Sequence, residues 1–199
     1  MRFAIALSFI LAAPSFAQTP GNAPAPSAPA VIPPAAEQIA AAVLPAPQDM
    51  RDSATVWGYA PDGKFVKLRE GRGSMVCLAS NPTSPRFHVA CYHRSLEPFM
   101  ARGRELRSQG RREDVDSIRF AEIAAKKLPM PNTGTLYSLT GGRFDAATGT
   151  APGARWLYVI YVPYATTESM GLSSKPQQGI PWLMFPGTAK AHIMFTPDM

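Results

Sequence analysis

The segment FHVACYH contains three side chains, His88, Cys91 and His93, of types that are common in metal and catalytic sites. A thiolate together with imidazoles suits zinc or copper. Side chains alternate across a β-strand, so two histidines five positions apart point to opposite faces if the segment is extended. A shared ion between them would need a bulge in the strand. The spacing therefore argues against a metal site that uses Cys91.

The two cysteines of the chain favour a disulfide instead. SMVCLAS and RFHVACYH flank the loop NPTSPR, and symmetric folding about that loop places Cys77 opposite Cys91. Directly opposed residues of an antiparallel pair have Cα atoms roughly 4.5 to 5.5 Å apart, which a disulfide can span. Cysteines of an exported protein also meet an oxidising compartment. We therefore predict a structural Cys77–Cys91 disulfide, and no metal or other cofactor.

A second possible site uses histidines near strand ends. His93 lies at the end of its predicted strand, and His192 lies near the start of the last predicted strand, AHIMF. If these strands lie close together, the two imidazoles approach each other, with Glu97 or Glu168 nearby. Two imidazoles and a carboxylate can bind zinc or transfer protons. The alternative is that each histidine is hydrogen-bonded separately at an end of the sheet.

Basic and aromatic side chains supply the candidates for ligand binding. Arg94, Arg104 and Arg107 lie at or within the first predicted helix and could bind an anion. Across this helix and the next, however, 8 basic residues accompany 6 acidic ones, spaced for local ion pairs. A salt-bridged surface is therefore the alternative. Tyr164 and Trp182, beside prolines in predicted loops, are candidates for lining a groove.

The elements that position these side chains are strands around a pair of helices. ATVWGYA and KFVKLRE flank the turn PDG and predict a hairpin with Trp57, Tyr59 and Phe65 on one face. Apolar residues at helical spacing predict two amphipathic helices in residues 95–128. TLYSLTG, RWLYVIYV and AHIMF predict later strands, the second covered on both faces. We predict an α+β fold in a single domain, with a mostly antiparallel sheet and a central pair of helices.

The N-terminus predicts export. Arg2 precedes the apolar run FAIALSFILAA, and small residues surround a cleavage point after Ala17, so residues 1–17 have the layout of a signal peptide. The run is too short for a permanent span, and no later segment resembles one, so we predict no membrane span in the mature chain. Residues 18–48 are rich in Ala and Pro and predict a disordered spacer, with at most a short helix in AAEQIAAAVL. The folded domain is then predicted to be residues 49–199.

Charge and motifs restrict the partners. Removing residues 1–17 lowers the formal charge from +6 to +5, because Arg2 is the only charged residue there. Such a mild excess is compatible with an anionic partner. Because the chain is predicted to be periplasmic or secreted, we expect an envelope component or a small molecule as its ligand, and no nucleic acid. No G-x-S-x-G, H-E-x-x-H or P-loop motif occurs.

Two segments, RFHVACYHRSLEPFMARGREL and PGTAKAHIMFTP, resemble parts of an uncharacterised family of exported bacterial proteins. The resemblance covers most of residues 49–199. It implies a bacterial exported domain and no particular activity.

Three hypotheses for the function remain open. The first, favoured because no nucleophile motif is present, is a non-enzymatic binding or structural domain of the bacterial envelope. The second is a small envelope hydrolase or metal-dependent enzyme that uses His93 and His192 with a carboxylate. The third is binding of an anionic polymer through the arginine-rich helix.

Overall fold

The computed structural model describes residues 31–197. The predicted signal peptide and residues 18–30 of the predicted spacer lie outside this range, as do the last two residues. Within the described range, no helix is both long and apolar enough to cross a membrane.

Residues 31–197 form four α-helices and eight β-strands. The helices are α1 (Ala35–Ala42), α2 (Glu97–Ser108), α3 (Val115–Ala124) and α4 (Thr167–Met170). The strands are β1 (Thr55–Tyr59), β2 (Phe65–Arg69), β3 (Met75–Leu78), β4 (His88–His93), β5 (Gly134–Thr140), β6 (Arg155–Tyr161), β7 (Trp182–Met184) and β8 (His192–Phe195). Short 3-10 turns at Gln48–Met50 and Arg94–Leu96 precede β1 and α2.

All eight strands belong to one sheet, in the spatial order β2-β1-β3-β4-β5-β6-β8-β7. The β1–β3 pair is parallel, and the other neighbouring pairs are antiparallel. Helices α2 and α3 follow β4 and pack against each other before the chain returns to the sheet as β5. The predicted α+β fold, a mostly antiparallel sheet with a central pair of helices, is confirmed.

The two faces of the sheet have different coverings. On one, which we call the helix face, Val76 and Tyr92 pack with α2 and α3. On the other, the disulfide face, Cys77 and Cys91 pack with α1. Helix α1 contacts β1, β2 and β4, and the disulfide face of β6 is covered only in part: Trp156 there packs with Val89 and Leu139, but Ile160 is 44% exposed. The prediction that β6 is covered on both faces is wrong for this reason.

The hairpin registers agree with the sequence pattern. In the β3–β4 hairpin Cys77 is paired with Cys91 and Met75 with His93, and the two cysteines form a disulfide with a Cα–Cα distance of 4.0 Å. In the β1–β2 hairpin, the Phe65 ring lies 5.8 Å from the Trp57 ring and 5.3 Å from the Tyr59 ring, all on the helix face. Both registers follow from turn chemistry and alternation, which are local properties.

The folded domain begins before residue 49. Helix α1 belongs to the stretch predicted to be a disordered spacer, yet Ala42 and Ala46 are almost fully buried against the disulfide face. The short helix that the sequence allowed in AAEQIAAAVL is present, and Pro34 and Pro45 flank it without interrupting it. Small alanine side chains let the helix approach the sheet closely. The described part of the predicted spacer is therefore part of the domain.

Gln38 fastens α1 to β1. Its side chain is 5% exposed; Nε2 donates to the carbonyl oxygens of Pro33 and Tyr59, both at 2.8 Å, and Oε1 accepts from the Tyr59 N–H, also at 2.8 Å. The amide therefore takes the place of a neighbouring strand at Tyr59.

We expect Gln38→Ala to lower the free energy of unfolding by about 1–2 kcal/mol, because it leaves the Tyr59 backbone groups without partners. Urea unfolding followed by circular dichroism measures the loss. Gln48→Ala, the same substitution at an exposed position, is the matched control and should change stability by less than about 0.5 kcal/mol. Equal losses in the two variants would contradict the role assigned to Gln38.

Candidate functional site

His93 and His192 are not brought together. His93 lies on β4 and His192 on β8, and strands β5 and β6 separate them in the sheet. Three strand spacings of about 4.8 Å place the two backbones about 14 Å apart. The pairing registers also put His93 on the disulfide face and His192 on the helix face. Two bonds of about 2.1 Å cannot bridge that separation, so the predicted shared zinc or proton-transfer site is wrong.

Each of these histidines has a local partner. Nδ1 of His93 lies 2.8 Å from Oγ of Ser95 and accepts the Ser95 N–H, which caps the turn leading into α2. His93 is therefore the capping residue of this turn. Nδ1 of His192 lies 2.7 Å from the carbonyl oxygen of Lys190, and burial lowers the pKa of His192. The separate hydrogen bonding of the two rings matches the alternative reading of the sequence.

Glu97 belongs to a cluster on the helix face. Its carboxylate accepts hydrogen bonds from the Tyr92 hydroxyl and, at 2.7 Å, from Nη2 of Arg104, while Nη1 of Arg104 donates to the Tyr92 oxygen at 2.7 Å. Burial raises the pKa of Tyr92, so the phenol stays protonated and donates. Arg104 also lies over the Trp57 ring, 5.9 Å from its centroid. Arg104 is thus largely occupied within the protein, and Glu97 is not placed near His93.

The other predicted site residues lie in separate places. Arg94 donates to the carbonyl oxygens of Gly71 and Gly73, at 2.8 and 3.1 Å, so it holds the loop before β3. Glu168 is exposed in α4 and accepts from the Thr167 hydroxyl. Tyr164 is 56% exposed in the loop after β6. These residues do not assemble into one site.

A large concave surface, a groove with a volume of about 940 Å³, lies on the helix face. We call it the α2 groove, because the C-terminal half of α2 forms one wall and strands β1 to β4 form the other. Apolar and aromatic side chains form most of its floor, and arginines lie along its rim. Its lining residues are Tyr59, Phe65, Leu78, Ala79, Asn81, Ser84, Arg86, His88, Ala90, Arg104, Glu105, Arg107 and Ser108.

The charge of the α2 groove is positive. Three arginines line it against one acidic residue, Glu105, whose carboxylate pairs with Arg102 at 2.9 Å. Arg86 and Arg107 have no carboxylate within 4.0 Å in residues 31–197. Desolvation and repulsion from Arg119 lower the pKa of Arg107, but a guanidinium stays charged at neutral pH. The groove therefore presents two cations that the protein itself does not neutralise.

His88 lies at the end of β4 and lines the same groove. Its Nδ1 is 2.7 Å from the Thr140 hydroxyl oxygen on β5. Partial burial lowers the pKa of His88, so the ring is neutral at pH 7 and offers its other nitrogen to a ligand. An acid or base paired with it, as a hydrolase would need, is not among the groove's lining residues.

No family model, curated protein or solved structure matches this chain. The function must therefore be inferred from the chain's own geometry. Within residues 31–197, no group of three or more His, Cys, Asp or Glu side chains is arranged to hold a metal ion. The α2 groove has the features of a binding site, because its aromatic rings can contact a ligand and its guanidinium groups can bind anions.

The sequence identified part of this groove. Arg107 and Arg104 were predicted as ligand-binding residues, and both line it, although Arg104 is engaged by Glu97 and Tyr92. Arg86 was missed, because it follows the loop NPTSP, about twenty positions before Arg107. The β3–β4 turn brings it to the C-terminal end of α2, and only the register of the helix on the sheet reveals that. Trp182 lies in a different cleft.

Proposed function

We propose that this protein is a non-enzymatic binding domain of the bacterial envelope, periplasmic or secreted, and that its α2 groove binds an anionic envelope component. The observation that carries the proposal is a pair of guanidinium groups, Arg86 and Arg107, beside an aromatic wall, neither of which has a carboxylate within 4.0 Å in the described residues. Both arginines are exposed, and two cations of the same sign along one groove raise its local positive potential, which attracts anions. The signal-peptide pattern supports the compartment.

The chemistry of the groove favours binding over turnover. Phe65 and Tyr59 give a flat apolar surface, and the guanidinium groups offer paired N–H donors to a carboxylate or phosphate. The hydroxyl groups of Ser84 and Ser108 lie in the same groove, but each donates to a backbone carbonyl oxygen, that of Arg86 at 3.0 Å and that of Glu105 at 2.7 Å. His88 is bonded to Thr140 and not to a serine. These contacts suit a ligand that is bound and released unchanged.

We expect the protein to be retained on immobilised polygalacturonate at low salt, and Arg86→Glu combined with Arg107→Glu to weaken binding about 10- to 100-fold. The reason is the loss of two charge-assisted contacts, each contributing about 1.5–3 kcal/mol before solvent screening. Retention volume and surface plasmon resonance measure the effect. Salt is raised in steps, because the Debye screening length falls to about 3 Å at 1 M and the attraction should weaken accordingly.

The matched control is Arg72→Glu combined with Arg112→Glu. These arginines are exposed, lie outside the groove and give the same change in net charge. The control should keep most of the affinity. Equal weakening of both double variants would mean that net charge alone drives retention, and absence of binding by the unmodified protein to any acidic polymer would overturn the proposal.

A further inference from the structure

A second cleft lies where strands β6, β7 and β8 meet the loop before β7. It has a volume of about 400 Å³, and its walls include Trp156, Trp182, Arg155 and Gln177. The loop is held at the end of β8 by a hydrogen bond from the Gly179 N–H to the Thr196 carbonyl oxygen, at 3.3 Å. We call this site the tryptophan cleft.

Within residues 31–197, two polar groups of the tryptophan cleft lack a counter-charge or an acceptor. Arg155 is exposed and has no carboxylate within 4.0 Å in the described part of the chain. Trp182 is 7% exposed, and its buried Nε1–H has no acceptor there. Buried donors are nearly always hydrogen-bonded, so an unpaired one at a cleft wall is unusual.

A row of side chains connects the tryptophan cleft with the α2 groove. His88, Thr140 and Arg155 are register partners on neighbouring strands β4, β5 and β6, so they lie side by side on the helix face. His88 lines the α2 groove, Arg155 lines the tryptophan cleft, and Thr140 is bonded to His88 between them. With strand spacings of about 4.8 Å, the row is about 10 Å long, and the distance from β3 to β8 is about 19 Å.

We propose that the α2 groove, this row and the tryptophan cleft form one track that binds an elongated acidic polysaccharide lying across the strands. The proposal rests on the proposed function and extends it to the length and class of the ligand. Arginines at both ends match a polymer with repeated negative charges. The Tyr59 and Phe65 rings of the α2 groove suit the C–H faces of sugar rings, and the exposed Gln177 amide in the tryptophan cleft suits hydroxyl groups.

The test compares short and long ligands of one chemistry. Isothermal titration calorimetry at low salt measures the binding of a galacturonic acid dimer and a hexamer to the whole protein. The dimer can occupy only one end of the track, whereas the hexamer can reach both. Linked contacts raise affinity without new chemistry, so we expect the hexamer to bind at least about tenfold more tightly.

The Arg155→Glu variant tests whether the tryptophan cleft contributes to binding. Arg72→Glu, which changes the net charge by the same amount, is its control. We expect Arg155→Glu to lower the affinity for the hexamer about tenfold and to change the affinity for the dimer by less than about twofold. Arg72→Glu should leave the difference between hexamer and dimer affinities unchanged. A fully methyl-esterified hexamer, which has the same rings without charge, should bind only weakly.

The outcomes distinguish the track from the groove alone. Equal affinities for dimer and hexamer, or equal weakening of both by Arg155→Glu, would overturn the track and leave the groove as the binding site. Binding of neither ligand would overturn the proposed function and the track together. Tighter binding of a polyglutamate of matched length would overturn the assignment to a polysaccharide.

Discussion

Reduction of the Cys77–Cys91 disulfide is expected to lower the free energy of unfolding by about 3 kcal/mol. The bridge joins residues with a sequence separation of 14, and closing a loop of about this length is worth about 3 kcal/mol in the chain-entropy model. The reduced protein should therefore unfold at a distinctly lower urea concentration. A loss of this size is a large fraction of the stability of an ordinary domain.

The disulfide is also part of the core on the disulfide face. Both cysteines are fully buried, and Sγ of Cys91 lies 3.2 Å from the Ala42 carbonyl oxygen. A disulfide sulfur has no proton to donate, so this is a packing contact and not a hydrogen bond. Replacing both cysteines with serine should destabilise the protein more than replacing them with alanine, because two hydroxyls would be buried where sulfur was packed.

Urea unfolding of the oxidised protein, the reduced protein and the two double variants measures these differences. The alanine variant is the internal control, because its midpoint should not respond to reductant. Mass spectrometry after alkylation reports the number of thiols in freshly prepared protein. Two alkylated cysteines, or an unchanged midpoint once both are reduced, would contradict the structural role of the bridge.

The sequence predicted the pairing of adjacent strands in hairpins, but it did not predict the spatial order of distant strands in the sheet. The β3–β4 hairpin was predictable because a short loop leaves essentially one symmetric register for Cys77 and Cys91. The positions of β5 and β6 between β4 and β8 depend on packing between distant segments, and no spacing in the chain encodes them. The expected approach of His93 and His192 required β4 and β8 to be neighbours, so it failed for that reason.

Composition also misled at the N-terminal boundary. An Ala/Pro-rich stretch is typical of spacers, but α1 needs only small apolar side chains and one amide, that of Gln38, to dock on the sheet. Stability studies should therefore include the described residues before 49, because a fragment beginning there would expose the buried disulfide face.

A similar limit applied to the helices. Gly103 is an unfavourable residue inside α2, and the sequence alone does not explain it. The structure supplies the reason: a Cβ at this position would lie 2.8 Å from Nη1 of Arg119, which passes between α2 and α3. The sequence indicated ion pairs on these helices, but it did not indicate that one arginine is buried.

Asp116→Ala is expected to lower the free energy of unfolding by about 2–3 kcal/mol. Arg119 is 6% exposed; it donates to the Phe99 carbonyl oxygen at 3.1 Å, lies 3.8 Å from the Phe99 ring centroid, and pairs with the Asp116 carboxylate. Removing one partner of a buried ion pair costs about 3–5 kcal/mol, and we lower that figure because the Asp116 side chain is 36% exposed. Lys190 also pairs with this carboxylate and would lose its partner.

The loss should depend on pH. Desolvation opposes ionisation of Asp116, but hydrogen bonds from Lys190 and Arg119 outweigh it and hold the pKa of the carboxyl below its usual value. A carboxyl with a lowered pKa in the folded state contributes stability that is fully present above its unfolded pKa of about 3.9 and is lost as the pH falls through the folded value. The difference between wild type and Asp116→Ala should therefore be constant near neutral pH and shrink below about pH 4.

A second substitution tests whether the uncompensated charge of Arg119 causes the loss. In the Asp116→Ala background, Arg119→Met replaces the buried guanidinium with an apolar chain of similar length and should recover a substantial part of the stability. Urea unfolding of the two single variants and the double variant gives the coupling energy directly. Glu113→Ala, at an exposed acidic position nearby, should have little effect. Additive losses for Asp116→Ala and Arg119→Met would show that the pair is not coupled, because removing the arginine would then bring no recovery.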